Sequence, residues 1–148
     1  MPMDSSFVGR SFAPTPPYLV GREKIREFAA AIGAGDPAHN DPAAARSMGH
    51  PDVVAPVTFP VVLTIPAIQQ IIEDPALGAD AERLVHGDQR FAYTRPVVAG
   101  DELTCASSIE EIISRGGHDF VTFRTDVATV AGEPVVSVWS RLVIRGEG

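Results

Sequence analysis

The chain reads as an α+β fold, an antiparallel sheet wrapped around one long central helix. Three features predict it. Val53–Ile72 is a run of twenty residues without a charge, thirteen of them apolar. Within it Val61, Ile65, Ile68 and Ile72 recur at helical spacing, and Val62, Leu63 and Ile71 widen the stripe. An apolar surface that wide calls for enclosure on most sides. The chain after Glu82 alternates apolar and polar residues between glycine turns, the pattern of antiparallel strands.

A chain of 148 residues corresponds to one domain, spanning 1–148. Folding at this size removes roughly two thirds of the unfolded surface from water, and the 45 % apolar composition supplies a core. The net charge of −7 argues against a nucleic-acid partner bound through a broad basic face. Val53–Ile72 has the length of a membrane span. Pro56, Pro60, Pro66, Thr58, Thr64, Gln69 and Gln70 make it a poor one, and strong flanking positive charge is missing, so no membrane span is expected. Cys105 is the sole cysteine, which excludes an internal disulfide and a thiolate zinc site. With no export signal in the polar stretch Met1–Ser6, the lone thiol points to the cytoplasm. No clustered ligand spacing appears, so neither a metal nor a cofactor is expected.

The elements follow in order. Pro14, Pro16 and Pro17 make Phe7–Pro17 an extended lead-in, and Tyr18–Val20 suits a short strand. Arg22–Ile32 is helical, with Ile25, Phe28, Ala29 and Ile32 on one face and Gly33 ending it. Gly33–Pro37 is a turn. Asp41 is the N-cap of a second, short helix, with Pro42 in its first turn and Gly49 after its end. Thr58 is the expected N-cap of the central helix. Pro66 removes one backbone donor and is expected to kink it or rearrange it locally. Arg83–Tyr93 is the first long strand, with Phe91 and Tyr93 on one face. Glu102–Ser114, Phe120–Val130 and Val135–Ile144 follow, joined by Gly116-Gly117 and Ala131-Gly132-Glu133 into a meander.

The chemistry concentrates in Gly33–Pro42. His39 is the one side chain there that exchanges a proton near neutral pH without help. Asp36 and Asp41 flank it. A histidine beside a carboxylate removes a proton alpha to a carbonyl and protonates a leaving hydroxyl. The same spacing also fits Asp36 stabilising a turn, Asp41 capping a helix and His39 sitting on the surface. His86, Asp88 and Gln89 lie on a strand, where they line a pocket or simply form a hydrogen-bonded strand surface.

Several stretches together resemble a known family. His39-Asn40-Asp41-Pro42, Ala55-Pro56 before the apolar helix, and Arg95-Pro96-Val97 with Gly100, Asp101 and Leu103 are similar to the MaoC-like acyl hydratases and dehydratases. Val20–Phe28, Ala55–Phe59 and His86–Gln89 resemble the HadA/HadC-type subunits of (3R)-hydroxyacyl-ACP dehydratase. The resemblance implies a hot-dog fold and the loss or addition of water across the 2,3-bond of an acyl-CoA or acyl-ACP. The family's catalytic pattern is Gly-Asp-x-Asn-Pro-x-His-x-Asp-Pro. Gly33, Pro37, His39, Asp41 and Pro42 match it, but Ala34 stands at the catalytic Asp position and Asp36 at the Asn position.

The family also sets the start of the central helix against the thioester carbonyl, where backbone N–H groups stabilise an enolate oxygen. Carried over, this makes Val57, Thr58 and Phe59 substrate-binding, with His86 and Gln89 lining the acyl pocket. His39 and Asp36 become the catalytic candidates. Two arrangements stay open. One is a binding subunit in a heterodimer with a catalytic MaoC-like partner. The other is a self-sufficient homodimer using His39 with Asp36.

Overall fold

A computed structural model describes residues 3–146, so the first two residues of the polar stretch 1–6 lie outside it. Five strands form one antiparallel sheet: β1 (Tyr18–Leu19), β2 (Leu84–Tyr93), β3 (Glu102–Arg115), β4 (His118–Thr129) and β5 (Pro134–Ile144). Their spatial order is β1-β3-β4-β5-β2. The three strands of the expected meander are adjacent, and β2 crosses over to pair with β5 at the far side. Three helices accompany the sheet: α1 (Arg22–Ala31), α2 (Pro42–Ser47) and α3 (Val61–Ile72).

Strand alternation decides which face meets the helix. Leu103, Cys105, Ser107 and Ile109 are buried on β3, and Val121, Phe123, Thr125 and Val127 on β4. Val136, Val138, Ser140, Leu142 and Ile144 are buried on β5. Two of the buried polar residues on this face satisfy each other, Ser107 Oγ and Thr125 Oγ1 at 2.9 Å. Burial pushes the Cys105 thiol up to about 11, so it stays a neutral, inert core group.

The central helix differs from expectation in three ways. α3 begins only at Val61, two residues later than a cap at Thr58 places it. Thr58 is not its cap: Pro60 precedes the helix without a side-chain bond, and the Thr58 carbonyl accepts from the Val61 amide. A run of prolines explains this, because Pro56 and Pro60 fit the turns of an entry segment better than a helix interior. The buried stripe is also rotated. Leu63, Thr64, Ala67, Ile68, Ile71 and Ile72 face inward, whereas Ile65 is 47 % exposed. Pro66 sits on that exposed side and α3 runs on through it.

The packing around α3 falls into two joined halves. Its first turns meet Val20, Ile25, Phe59, Leu103, Val127 and Val138, and Phe28 meets the Phe59 ring edge-on at 5.5 Å. Its later turns meet Phe7, Leu77, Ile109, Val121, Phe123 and Leu142. The extended lead-in runs along β3: the amides of Gly9, Phe12 and Thr15 donate to the carbonyls of Ile109, Ser107 and Cys105. Thr15 Oγ1 accepts from the Cys105 amide in return. The polar reading of stretch 1–6 misses Met3, which is buried beside Phe7.

Candidate functional site

The site begins where α1 stops. Gly33 adopts φ +71°, a conformation an L side chain resists, and the Ala34 amide reaches back to the Ala29 carbonyl at 2.8 Å. Asp36 then opens a 3-10 turn, Pro37–His39, and its carboxylate accepts from the Ala38 amide at 2.9 Å. Asp41 caps α2 in the same way, accepting from the Ala43 amide at 2.9 Å, with Pro42 at the first helical position. Both aspartates therefore do the local work that their positions suggest. Among the described residues the Asp36 carboxylate makes no hydrogen bond to His39.

His39 is half-buried at the end of that turn, and its Nδ1 lies 2.6 Å from the Val54 carbonyl. A carbonyl only accepts, so Nδ1 carries a proton, and in the neutral ring Nε2 is the nitrogen with the lone pair. The ring is thus held in the tautomer that takes a proton at Nε2. The Val54 amide in turn donates to the Ala38 carbonyl, joining the histidine turn to the entry segment 53–60 from both directions.

The entry segment is braced from its other side as well. Ala55 donates to Val97, and Ala99 donates to Val53. That neighbouring loop is clamped by Arg95, whose guanidinium grips Asp101 through two bonds of 2.9 and 3.0 Å and also pairs with Glu133. These carboxylates hold the Arg95 guanidinium even more firmly protonated than usual. Arg95 is committed to structure. The Asp101 carboxylate also accepts from the Val98 amide and so fixes the turn at Gly100. At the start of the segment, Asp52 accepts two bonds from Arg22 and one from the Val53 amide, with Arg46 at 3.8 Å. The hydrogen bond from Arg22, chiefly, holds the Asp52 carboxyl down at about 2.

Past Pro56 the chain turns, and the Phe59 amide closes back on the Pro56 carbonyl. Among the described residues the Val57 and Thr58 amides donate to no protein acceptor. Phe59 is fully buried, whereas the Val57 side chain is 71 % exposed. The Val57 carbonyl accepts a 2.6 Å bond from the Tyr93 hydroxyl. Sequence reasoning read Tyr93 only as a strand-face residue. The missed signal was its phenol, a donor able to reach a backbone carbonyl of another element.

His86 and Gln89 lie on the helix-facing side of β2, opposite Leu142 and Ser140 of β5. The register slips between His86 and Asp88, which places Gly87 at a bulge. A Cβ on Gly87 would meet the Arg141 carbonyl oxygen at 3.1 Å. Gln89 donates to Ser140 Oγ at 2.9 Å. His86 lines a groove of about 270 Å³ between α3 and β2, whose walls include Ile65, Ile68, Ile72, Leu84 and Leu142. The structure thus ties His39 to the segment that carries Val57 and Thr58, and places His86 apart from them, in the groove beside α3.

Comparison with known proteins bears on this arrangement. Residues 6–138 match the family model of the FAS1-like dehydratase domain region. A UPF0336 protein of Streptomyces coelicolor is 56 % identical over 145 residues, which cover 98 % of this chain and 97 % of that one. Another, from Saccharopolyspora erythraea, is 53 % identical over 146 residues, 99 % of this chain and 94 % of that one. Among solved structures, a MaoC-like dehydratase superposes with a TM-score of 0.88 at 34 % identity over 95 % of this chain. This chain spans only 43 % of that protein's length. The HadBC (3R)-hydroxyacyl-ACP dehydratase complex of Mycobacterium tuberculosis gives 0.84 at 32 % identity, covering 93 % of this chain and 96 % of that one. With its curved antiparallel sheet around a central helix, the chain belongs to the FAS1-like dehydratase family and has the MaoC-like hot-dog fold.

Proposed function

We propose that this protein is the acyl-thioester-binding subunit of a (3R)-hydroxyacyl-ACP or -CoA dehydratase, paired with a catalytic MaoC-like partner. One observation carries the reading. His39 is oriented for proton transfer, yet the carboxylate that would share its water is missing. Ala34 holds the aspartate position, and Asp36 spends its carboxylate on the Ala38 amide. A water or hydroxyl held by one imidazole alone lacks the second group that general acid–base work needs. The likeness to a chain of a two-subunit (3R)-hydroxyacyl-ACP dehydratase supports the same division of labour.

In the reaction, a base removes the C2 proton and the electrons move onto the thioester oxygen. The C3 hydroxyl then leaves as water once an acid protonates it, giving the 2,3-enoyl thioester. The Val57 and Thr58 amides, left without protein acceptors, are suited to receive the thioester oxygen, and the apolar groove between α3 and β2 is suited to the acyl chain. Val57 and Thr58 thus bind the thioester end beside buried Phe59, while His86 and Gln89 bound the acyl end. The rim of β2, unpaired among the described residues, and the exposed Ile65 support assembly with a second hot dog. Mixing the purified protein with a catalytic MaoC-like subunit is expected to create dehydratase activity that neither shows alone. Activity indifferent to the partner would count against the reading.

His39 Nε2, without a partner among the described residues, favours a second reading, a homodimer in which His39 and Asp36 act together. It requires Asp36 to leave its cap. Under it, the isolated protein hydrates a crotonyl thioester and His39→Ala abolishes the activity. An isolated wild-type protein without turnover ends it.

A further inference from the structure

We infer that Tyr93 is a positioning residue for the proposed thioester site, aiming the Thr58 amide at the substrate oxygen through its grip on the Val57 carbonyl. The inference rests on the functional reading above and adds to it a residue from a different element of the fold.

The argument is one of peptide geometry. The Val57–Thr58 bond is trans, and in a trans peptide the C=O and the following N–H point in opposite directions. Tyr93 Oη donates to the Val57 carbonyl at 2.6 Å, which fixes the direction of that C=O toward β2. The Thr58 N–H must then point away from β2. It finds no protein acceptor there among the described residues, and the same holds for Val57 N–H. Such an N–H pair in a turn at a helix entrance suits a developing oxyanion. Without the phenol, the 57–58 peptide keeps no other tie at its carbonyl, because Phe59 folds back to Pro56 instead.

The same short segment carries the His39 anchor. His39 grips the carbonyl of Val54 and Tyr93 grips that of Val57, three residues later. Three residues span at most roughly 11 Å. Tyr93 is well placed to stay a donor. Burial pushes its hydroxyl up to about 12, so it is neutral across the physiological range. Its ring stacks beside Phe91, with centroids 6.4 Å apart, and a phenylalanine in its place would keep that contact.

The test uses Tyr93→Phe and the wild type, each titrated with crotonyl-pantetheine while the Thr58 and His39 backbone amides are followed by NMR. The expected result is a downfield movement of the Thr58 amide proton in the wild type, cut to less than half in the variant. The His39 response and the melting temperature stay unchanged. In whichever assembly turns over, kcat should fall about tenfold with KM within twofold, a split that a merely structural contact would not produce. Equal Thr58 movement in both proteins overturns the inference. So does a wild-type Thr58 that stays still while His39 responds, and in that case the functional reading survives. If neither amide responds and no partner yields turnover, the functional reading itself fails.

Discussion

The two rims of the sheet are finished differently. At the β3 rim the lead-in lies along the strand, with three backbone bonds, the Thr15 hydroxyl and the short strand β1 covering it. Phe7 and Met3 plug the gap beneath. At the β2 rim, by contrast, no strand among the described residues covers the ten-residue edge. Val85, Tyr93, Ile65 and Val57 remain substantially exposed on that side of the molecule. The protein's own chain closes one rim for stability. The other is left open, and the groove, the Tyr93 contact and the start of α3 all gather there. Closure serves the fold on one side, and under the proposed function the open side is the one that binds.

The contrast can be attacked at its stable end first. Phe7→Ala removes a fully buried ring and leaves a cavity, so a loss of about 3–4 kcal/mol is expected in urea unfolding. A loss below about 1 kcal/mol would mean that the lead-in is an ornament, not part of the core. At the open rim, Ile65→Asp is expected to cost little in the isolated chain, because the side chain is already half in water. Under the proposed assembly, association should weaken at least about tenfold, or roughly 1.4 kcal/mol, as read by sedimentation equilibrium or by partner-dependent activity. A variant that assembles normally would move the interface elsewhere.

The Arg22–Asp52 clamp gives a smaller effect with a defined pH window. The folded carboxyl sits at about 2, below its ordinary value of 3.8. Its contribution is therefore complete above the ordinary value and is lost as pH falls toward the folded one. Because Arg22 is half exposed, the contribution is discounted to about 1 kcal/mol. Asp52→Asn should show that deficit at pH 6 and converge with the wild type near pH 2. Smallest is Thr64→Val. The Thr64 hydroxyl is buried without a hydrogen-bond partner among the described residues, so a methyl in its place is expected to stabilise by about 0.5–1 kcal/mol in thermal unfolding.

Much of the sheet was legible because alternation is a local signal. A residue two along a strand returns to the same face, and Phe123 or Val138 needs no distant information to be placed inside. The helix was harder. An apolar run with no charge has no polar side to mark its orientation, so the buried stripe came out rotated and Ile65 was placed inside. The start of α3 was misread because Thr58 looks like a cap, while the prolines around it decide otherwise. At the site, the caps at Asp36 and Asp41 were readable from neighbours two residues away. The partners of His39 and Tyr93 were not, since Val54 lies 15 positions from His39 and Val57 lies 36 from Tyr93. Such contacts depend on how the elements pack, which periodicity does not encode.

The lead-in's hold on β3 carries a consequence for assembly number. A sheet with two bare margins can add copies end on end without limit, the geometry of a fibril. Among the described residues a single margin is available, so under the proposed assembly docking through β2 would use up that margin on each participant. Growth would then halt after one step, and the adhesive border would carry no hazard of polymerisation.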